Sequence, residues 1–162
     1  MNWSELYSMQ RKLDNYIEAQ HDLSGRDIFK EKSLALLVEL GELANETRCF
    51  KFWSTKSRND KSVILEEYVD GVHFLLSLGL EKGFEYRGGN NLAACAANET
   101  DQFNRVFSAS IEFREYPTEV NYKALFEYFV QLGELLGFEE KAIQKAYLEK
   151  NEINYERQDQ GY

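Results

Sequence analysis

Apolar side chains recur at three- and four-residue steps through most of the chain, the period of helices with one buried face. Trp3, Leu6, Leu13 and Ile17, with Met9 and Tyr16 beside them, predict a first amphipathic helix that starts at a cap near Asn2 or Ser4. His21 to Gly25 breaks that pattern, and Asp27 is the expected N-cap of a second helix over about residues 28–48. Its middle (Leu34, Ala35, Leu36, Leu37, Val38, Leu40, Leu43, Ala44) is apolar on nearly every side, which predicts a helix central to the core. Phe50 to Asp60, rich in aromatic and basic residues, is an expected loop. A third strongly apolar helix is predicted over about residues 62–82, through Val69, Val72, Phe74, Leu75, Leu76, Leu78 and Leu80.

Arg87-Gly-Gly-Asn-Asn91 is the strongest loop signal in the chain. Asn98 to Glu115 follows as a helix with Phe103, Val106, Phe107 and Ile111 on one face, and Pro117 marks its boundary. Two more helices are expected, Tyr122 to Leu136, stopped by Gly137, and about Glu139 to Arg157. A short strand over residues 93–97 is compatible with the pattern but not needed. The fold expected is all-α, a compact bundle of about six helices. It forms one domain over residues 1–162, with residues 83–140 as a less rigid helical elaboration.

Composition narrows the function. The 162 residues are 43% hydrophobic and 14% aromatic, which excludes intrinsic disorder. One proline and ten glycines supply too few tight turns for an all-β sandwich or barrel. A net charge of -9 lacks the positive field that nucleic acid or an anionic membrane requires. A polyphosphate ligand would therefore need a local basic cluster or metal cations. Cys49 and Cys95 have neither CxxC spacing nor paired histidines, which removes structural zinc and a disulfide framework. Met1 to Asp14 lacks the apolar core of a signal peptide, and Ser33 to Ala44, the longest apolar stretch, is too short to span a bilayer. A cytoplasmic protein is expected.

Candidate chemistry lies in the two most apolar helices. Glu39 and Glu42 are three residues apart in one, Glu67 and Asp70 in the other. Residues at i and i+3 share a helical face, so each pair projects in one direction. A carboxylate among leucines is costly unless it is paired or bound to a cation, and clustered carboxylates raise one another's pKa. All-oxygen ligation by four carboxylates favours Mg²⁺, with Mn²⁺ as a substitute, over zinc. Two solvated acidic faces are the bland alternative. A di-iron bundle needs Glu-x-x-His pairs, which these are not. His73, three residues after Asp70, reads as a ligand, a base reader or a core histidine.

The last helix carries a second signal. Its stripe of Ile143, Ala146 and Tyr147 continues as Lys150, Asn154 and Arg157, so the packing face turns cationic and polar. Inward-facing Lys and Arg suit a phosphate chain. Neutralisation of the carboxylates and a frayed, solvated helix end are the other readings.

Three blocks, in order, resemble the dimeric all-α dUTP diphosphatases of the all-α NTP pyrophosphatase superfamily. They are Gln10-x-x-Leu13-Asp14; Glu39-x-x-Glu42 with Phe50-Lys-Phe-Trp53 and Glu67-x-x-Asp70-x-x-His73-Phe74; and Lys150-x3-Asn154-x2-Arg157-Gln158-x2-Gly161-Tyr162. Together they touch about half the chain. The resemblance implies Mg²⁺-dependent hydrolysis of dUTP, and of dUDP, to dUMP, with pyrophosphate released from dUTP, keeping uracil out of DNA. It implies that Glu39, Glu42, Glu67 and Asp70 hold the metal and form the catalytic group; one of the four, with Glu42 as the candidate, is the expected base for the attacking water. It places Gln10, Phe52 or Trp53, His73, Phe74 and Asn154 around uracil and deoxyribose, and Lys150, Arg157 and Tyr162 toward the phosphates, with Asp14 and Gln158 as further substrate-binding residues. Asp14 departs from members that carry Asn there. The resemblance also implies a homodimer whose sites are completed by the partner subunit. The rival readings are a MazG-type pyrophosphatase acting on dCTP or a non-standard nucleotide, and a non-catalytic helical interaction protein that retains only the fold. The aromatics Phe103, Phe107, Tyr122, Phe126, Tyr128 and Phe129 fit a subunit interface or an internal core equally well.

Overall fold

A computed structural model describes residues 1–89 and 94–162. Six helices account for the secondary structure of the described residues: α1 (Trp3–Gln20), α2 (Phe29–Thr47), α3 (Lys61–Lys82), α4 (Glu99–Glu115), α5 (Glu119–Leu135) and α6 (Glu140–Asp159). The all-α expectation holds. Asn90 and Asn91 of the expected loop, and Ala93 of the optional strand, lie outside the described residues; residues 94–97 contain no strand.

Capping explains the helix starts. Asn2 accepts a hydrogen bond from the Glu5 N–H at the start of α1, and Asn98 does the same for the Asp101 N–H of α4. The Asp27 carboxylate accepts from the Phe29 N–H at 3.1 Å, although Ile28 occupies the cap position itself. Helix α5 begins at Glu119 rather than Tyr122, because Thr118 caps it by accepting from the Asn121 N–H. Helix α3 ends at Gly83, whose φ of 73° lies in the left-handed region where a glycine carries no Cβ penalty.

Helix α3 is central and packs against α1, α2, α5 and α6, while α4 bridges α2 and α5. Its sequence suits that place, since residues on all its faces (Ile64, Tyr68, Val69, Val72, Leu75, Leu76, Leu78) are buried. Helix α2 departs from the expectation of all-round burial. Leu36, Leu40 and Leu43 are buried, but Leu34 is 63% exposed and Val38 is 50% exposed, so one apolar face meets solvent. The physical reason is that α2 has helical neighbours, α3 and α4, on only part of its circumference.

The aromatic residues resolve in favour of an internal core. Phe103, Tyr122, Phe126 and Phe129 are buried, with Phe107 and Tyr128 packed partly buried against them. A directional relay runs through this core: the Tyr86 N–H donates to Tyr7 Oη at 2.8 Å, Tyr7 Oη lies 2.7 Å from Tyr122 Oη, and the Tyr122 hydroxyl donates to the Leu75 carbonyl at 3.0 Å. Each buried hydroxyl is thereby satisfied, as burial of a polar group requires.

Candidate active site

Helices α2 and α3 place the acidic residues together. Arg48 ends α2 in a left-handed conformation (φ 59°), and the following loop folds back on that turn. The Arg48 guanidinium donates to Ser54 Oγ at 2.6 Å and to the Lys56 carbonyl at 3.3 Å, while the Asn59 N–H donates to the Glu46 carbonyl at 3.1 Å. This pinned loop returns the chain so that α3 packs along α2. Carboxylate oxygens of Glu39, Glu67 and Asp70 then lie within 4.8 Å of one another. Glu42 is exposed and stands outside this trio, although its negative charge acts on Glu39 and it shares a shallow recess with Glu67.

The electrostatics of the trio follow from that geometry. Glu39 is pushed up to about 7, first by burial and then by the negative charges of Asp70, Glu42 and Glu67. Burial raises Glu67, and Asp70 and Glu42 add to the effect. Burial also raises Asp70, but the Lys150 ammonium opposes it from 2.7 Å. Three crowded oxygen donors of one sign are a group that a hard divalent cation satisfies, so the donor set fits Mg²⁺. Glu66 is separate from the trio: it is exposed and pairs with Lys150 Nζ at 3.1 Å.

Beside the trio opens a cavity of about 360 Å³ between α1, α3 and α6. Gln10, Asp14, His73, Phe74, Lys150, Asn154, Arg157, Gln158 and Tyr162 all line it, together with Glu39 and Asp70. All three sequence blocks therefore meet at one place. Phe52 and Trp53 do not reach it: they lie 92% and 64% exposed in the loop after α2, their rings packed edge to face. The C-terminal stripe is not a frayed end, since Lys150 is buried and Asn154 and Arg157 are half-buried against the cavity. Lys150 neutralises Asp70, one of the readings its sequence position allowed. The Arg157 guanidinium lies 5.2 Å from the Tyr162 ring centroid.

The inner wall is a connected polar network. His73 Nδ1 lies 2.7 Å from Gln10 Oε1, and the Tyr147 hydroxyl donates to the same oxygen at 2.9 Å. Gln10 Nε2 donates to Asp14 Oδ1 at 2.8 Å, and Ser77 Oγ donates to Asp14 Oδ2 at 2.7 Å. The His73 ring stacks on Tyr147, with centroids 4.1 Å apart. Burial, with the nearby Lys150 charge, pushes His73 down to about 3, so it is a neutral imidazole. Burial raises Asp14, while the Lys32 ammonium and the bonds from Ser77 and Gln10 oppose that rise.

Sequence reasoning missed Ser77, Lys32 and Tyr147 as members of this site. Ser77 had a signal, being a polar residue four after His73 on the most apolar helix. Tyr147 read as part of an apolar stripe. Lys32 gave none, because its partners Asp14, Glu18 and Glu81 come from α1 and α3. A larger recess of about 780 Å³ near Arg11, Arg87 and Lys123 is a weaker anion site, because those three cations already pair with Glu85 and Glu119.

No helix of the described residues is long and apolar enough to cross a membrane. No curated protein matches the chain. The model of the dUTPase family, however, matches residues 2–162. An all-α fold with an acidic trio at one end of a nucleoside-sized cavity agrees with that match, and the chain belongs to the all-α dUTPase family of hydrolases, which convert dUTP to dUMP.

Proposed function

We propose that this chain hydrolyses dUTP to dUMP and pyrophosphate, and dUDP to dUMP, at the junction of the acidic trio and the cavity. The observation that carries this reading is the convergence of Glu39, Glu67 and Asp70 beside a cavity lined by the polar residues of α1, α3 and α6. Glu39, Glu67 and Asp70 would hold Mg²⁺, with Glu42 bordering them from the solvent side. When bound, the cation neutralises phosphate oxygens and lowers the pKa of water.

The chain's own groups do the rest. Gln10, Asp14, His73, Phe74 and Asn154 hold the base and sugar in the enclosed part of the cavity. Lys150, Arg157, Gln158 and Tyr162 meet the phosphates, the Lys150 ammonium, held at 2.7 Å from Asp70, offering its charge to a phosphate oxygen. Glu42 takes the proton of the attacking water. Holding reactants in this way lowers the barrier through orientation and preorganised charge. A neutral His73 in the wall avoids adding a charge beside an uncharged base.

Exposed Leu34 and Val38 on α2, and Phe52 and Trp53 in the next loop, supply apolar surface for a homodimer, in which the two loop aromatics would reach a partner's nucleotide. Sedimentation at micromolar concentration should give twice the 19.0 kDa chain mass. The activity is tested directly: purified protein should release pyrophosphate from dUTP with Mg²⁺ and stop on addition of a chelator. Release from dCTP at the same rate would count against the uracil assignment.

A further inference from the structure

A glutamine amide is ambivalent, since one end donates and the other accepts. Gln10 is held so that only one of these remains for a ligand. Its Oε1 receives the Tyr147 hydroxyl at 2.9 Å and lies 2.7 Å from His73 Nδ1, which uses both lone pairs of the oxygen. Its Nε2 gives one hydrogen to Asp14 Oδ1 at 2.8 Å. The second hydrogen on Nε2 has no partner among the described residues, and Gln10, only 3% exposed, lines the cavity.

The direction of the whole network is set at Asp14. An ionised carboxylate only accepts, so the NH₂ end of Gln10 must face it. Ser77 Oγ donates to its other oxygen at 2.7 Å, and the Lys32 ammonium forms an ion pair with that oxygen at 3.8 Å. With the NH₂ end fixed, Oε1 faces Tyr147 and His73, and His73 must carry its proton on Nδ1. The other ring nitrogen, Nε2, is then a bare acceptor, and it is buried with no hydrogen-bond partner among the described residues. An asparagine at position 14 would not impose this order, because its amide can turn around and let Gln10 turn with it.

We propose that Asp14, through Gln10, makes the base-binding wall of this chain donor-only at one point, and that Tyr147, which does not line the cavity, is a positioning residue that keeps Gln10 in that orientation. The matching ligand group is a carbonyl oxygen. At ring position 4 uracil has a carbonyl and cytosine an amino group, so a fixed N–H there donates to the first and confronts the second with donor against donor. This inference rests on the proposed dUTP substrate for its ligand, but the network is testable without one.

The test uses the full chain labelled with ¹⁵N-histidine, free of ligand, with the second histidine assigned through His21→Gln. The expected spectrum shows His73 protonated at Nδ1 and bare at Nε2; protonation at Nε2 overturns the proposal. In Asp14→Asn the His73 proton should redistribute between the two nitrogens, and the preference for dUTP over dCTP in kcat/KM should fall about tenfold, the size of one mismatched buried hydrogen bond. An unchanged tautomer and an unchanged preference overturn it. Should Asp14→Asn fail to fold, Tyr147→Phe serves instead, with KM for dUTP raised, kcat retained and the preference lowered several-fold; an unaltered preference again overturns it. A wild-type chain that shows the expected tautomer but leaves dUTP intact would strike the substrate assignment and not the network.

Discussion

Lys150 Nζ lies 2.7 Å from Asp70 Oδ2, tying the last helix to the central one beside the acidic trio. The lysine is buried and its second partner, Glu66, is exposed, so Asp70 is the contact with the larger electrostatic consequence. Lys150→Met removes the cation paired with Asp70, a partly buried carboxylate. The metal-free chain should lose about 1–3 kcal/mol, the cost of leaving such a group without its partner. Urea midpoints in chelator measure it, and dUTP KM should rise in the same variant because the phosphates lose a cation.

Glu39 gives the metal-free protein a pH signature. Its carboxyl sits at about 7 in the folded chain against an ordinary 4.5. A raised carboxyl contributes stability below 4.5, and that contribution is lost as pH rises through about 7. Melting temperatures in chelator should therefore fall across this window, and Glu39→Gln should flatten the fall. Mg²⁺ competes with the same proton, so its affinity should strengthen over the same window; titration calorimetry in two buffers of different ionisation enthalpy reads the proton released.

Within the carboxylates the structure separates a trio from Glu42. Glu39→Gln, Glu67→Gln and Asp70→Asn should each weaken Mg²⁺ by about tenfold or more, whereas Glu42→Gln should weaken it less and lower kcat instead. Circular dichroism should show unchanged helicity in all four. Equal losses of Mg²⁺ affinity would place Glu42 among the ligands.

Two glycines should respond oppositely to alanine. A Cβ on Gly79 would sit 2.2 Å from Tyr122 Oη and 2.7 Å from the Phe84 carbonyl, a backbone atom that cannot rotate away. Gly79→Ala should cost about 1–3 kcal/mol by overpacking. Gly41, exposed in α2, has nothing within 4 Å of its Cβ position, and Gly41→Ala should gain about 0.5–1 kcal/mol from helix propensity. Thermal denaturation of the two variants decides it.

The amino-acid sequence alone determined the six helices, most of their ends, and which carboxylates share a helical face. These properties depend on residues three or four apart, where spacing fixes geometry, as for Glu67 and Asp70. Helix α5 begins three residues before its expected start because Thr118 caps it there. The tertiary structure decided everything that depends on distant partners. It brought Glu39 against Glu67 and Asp70 while leaving Glu42 outside the trio, put Lys150 against Asp70, left Leu34 and Val38 exposed, and kept Phe52 and Trp53 away from the cavity. It also joined Gln10, His73 and Tyr147, which stand 63 and 137 residues from Gln10 along the chain. Hydrogen bonds and charge pairing act over a few ångströms of space, so only the packing of helices onto one another could say which groups meet.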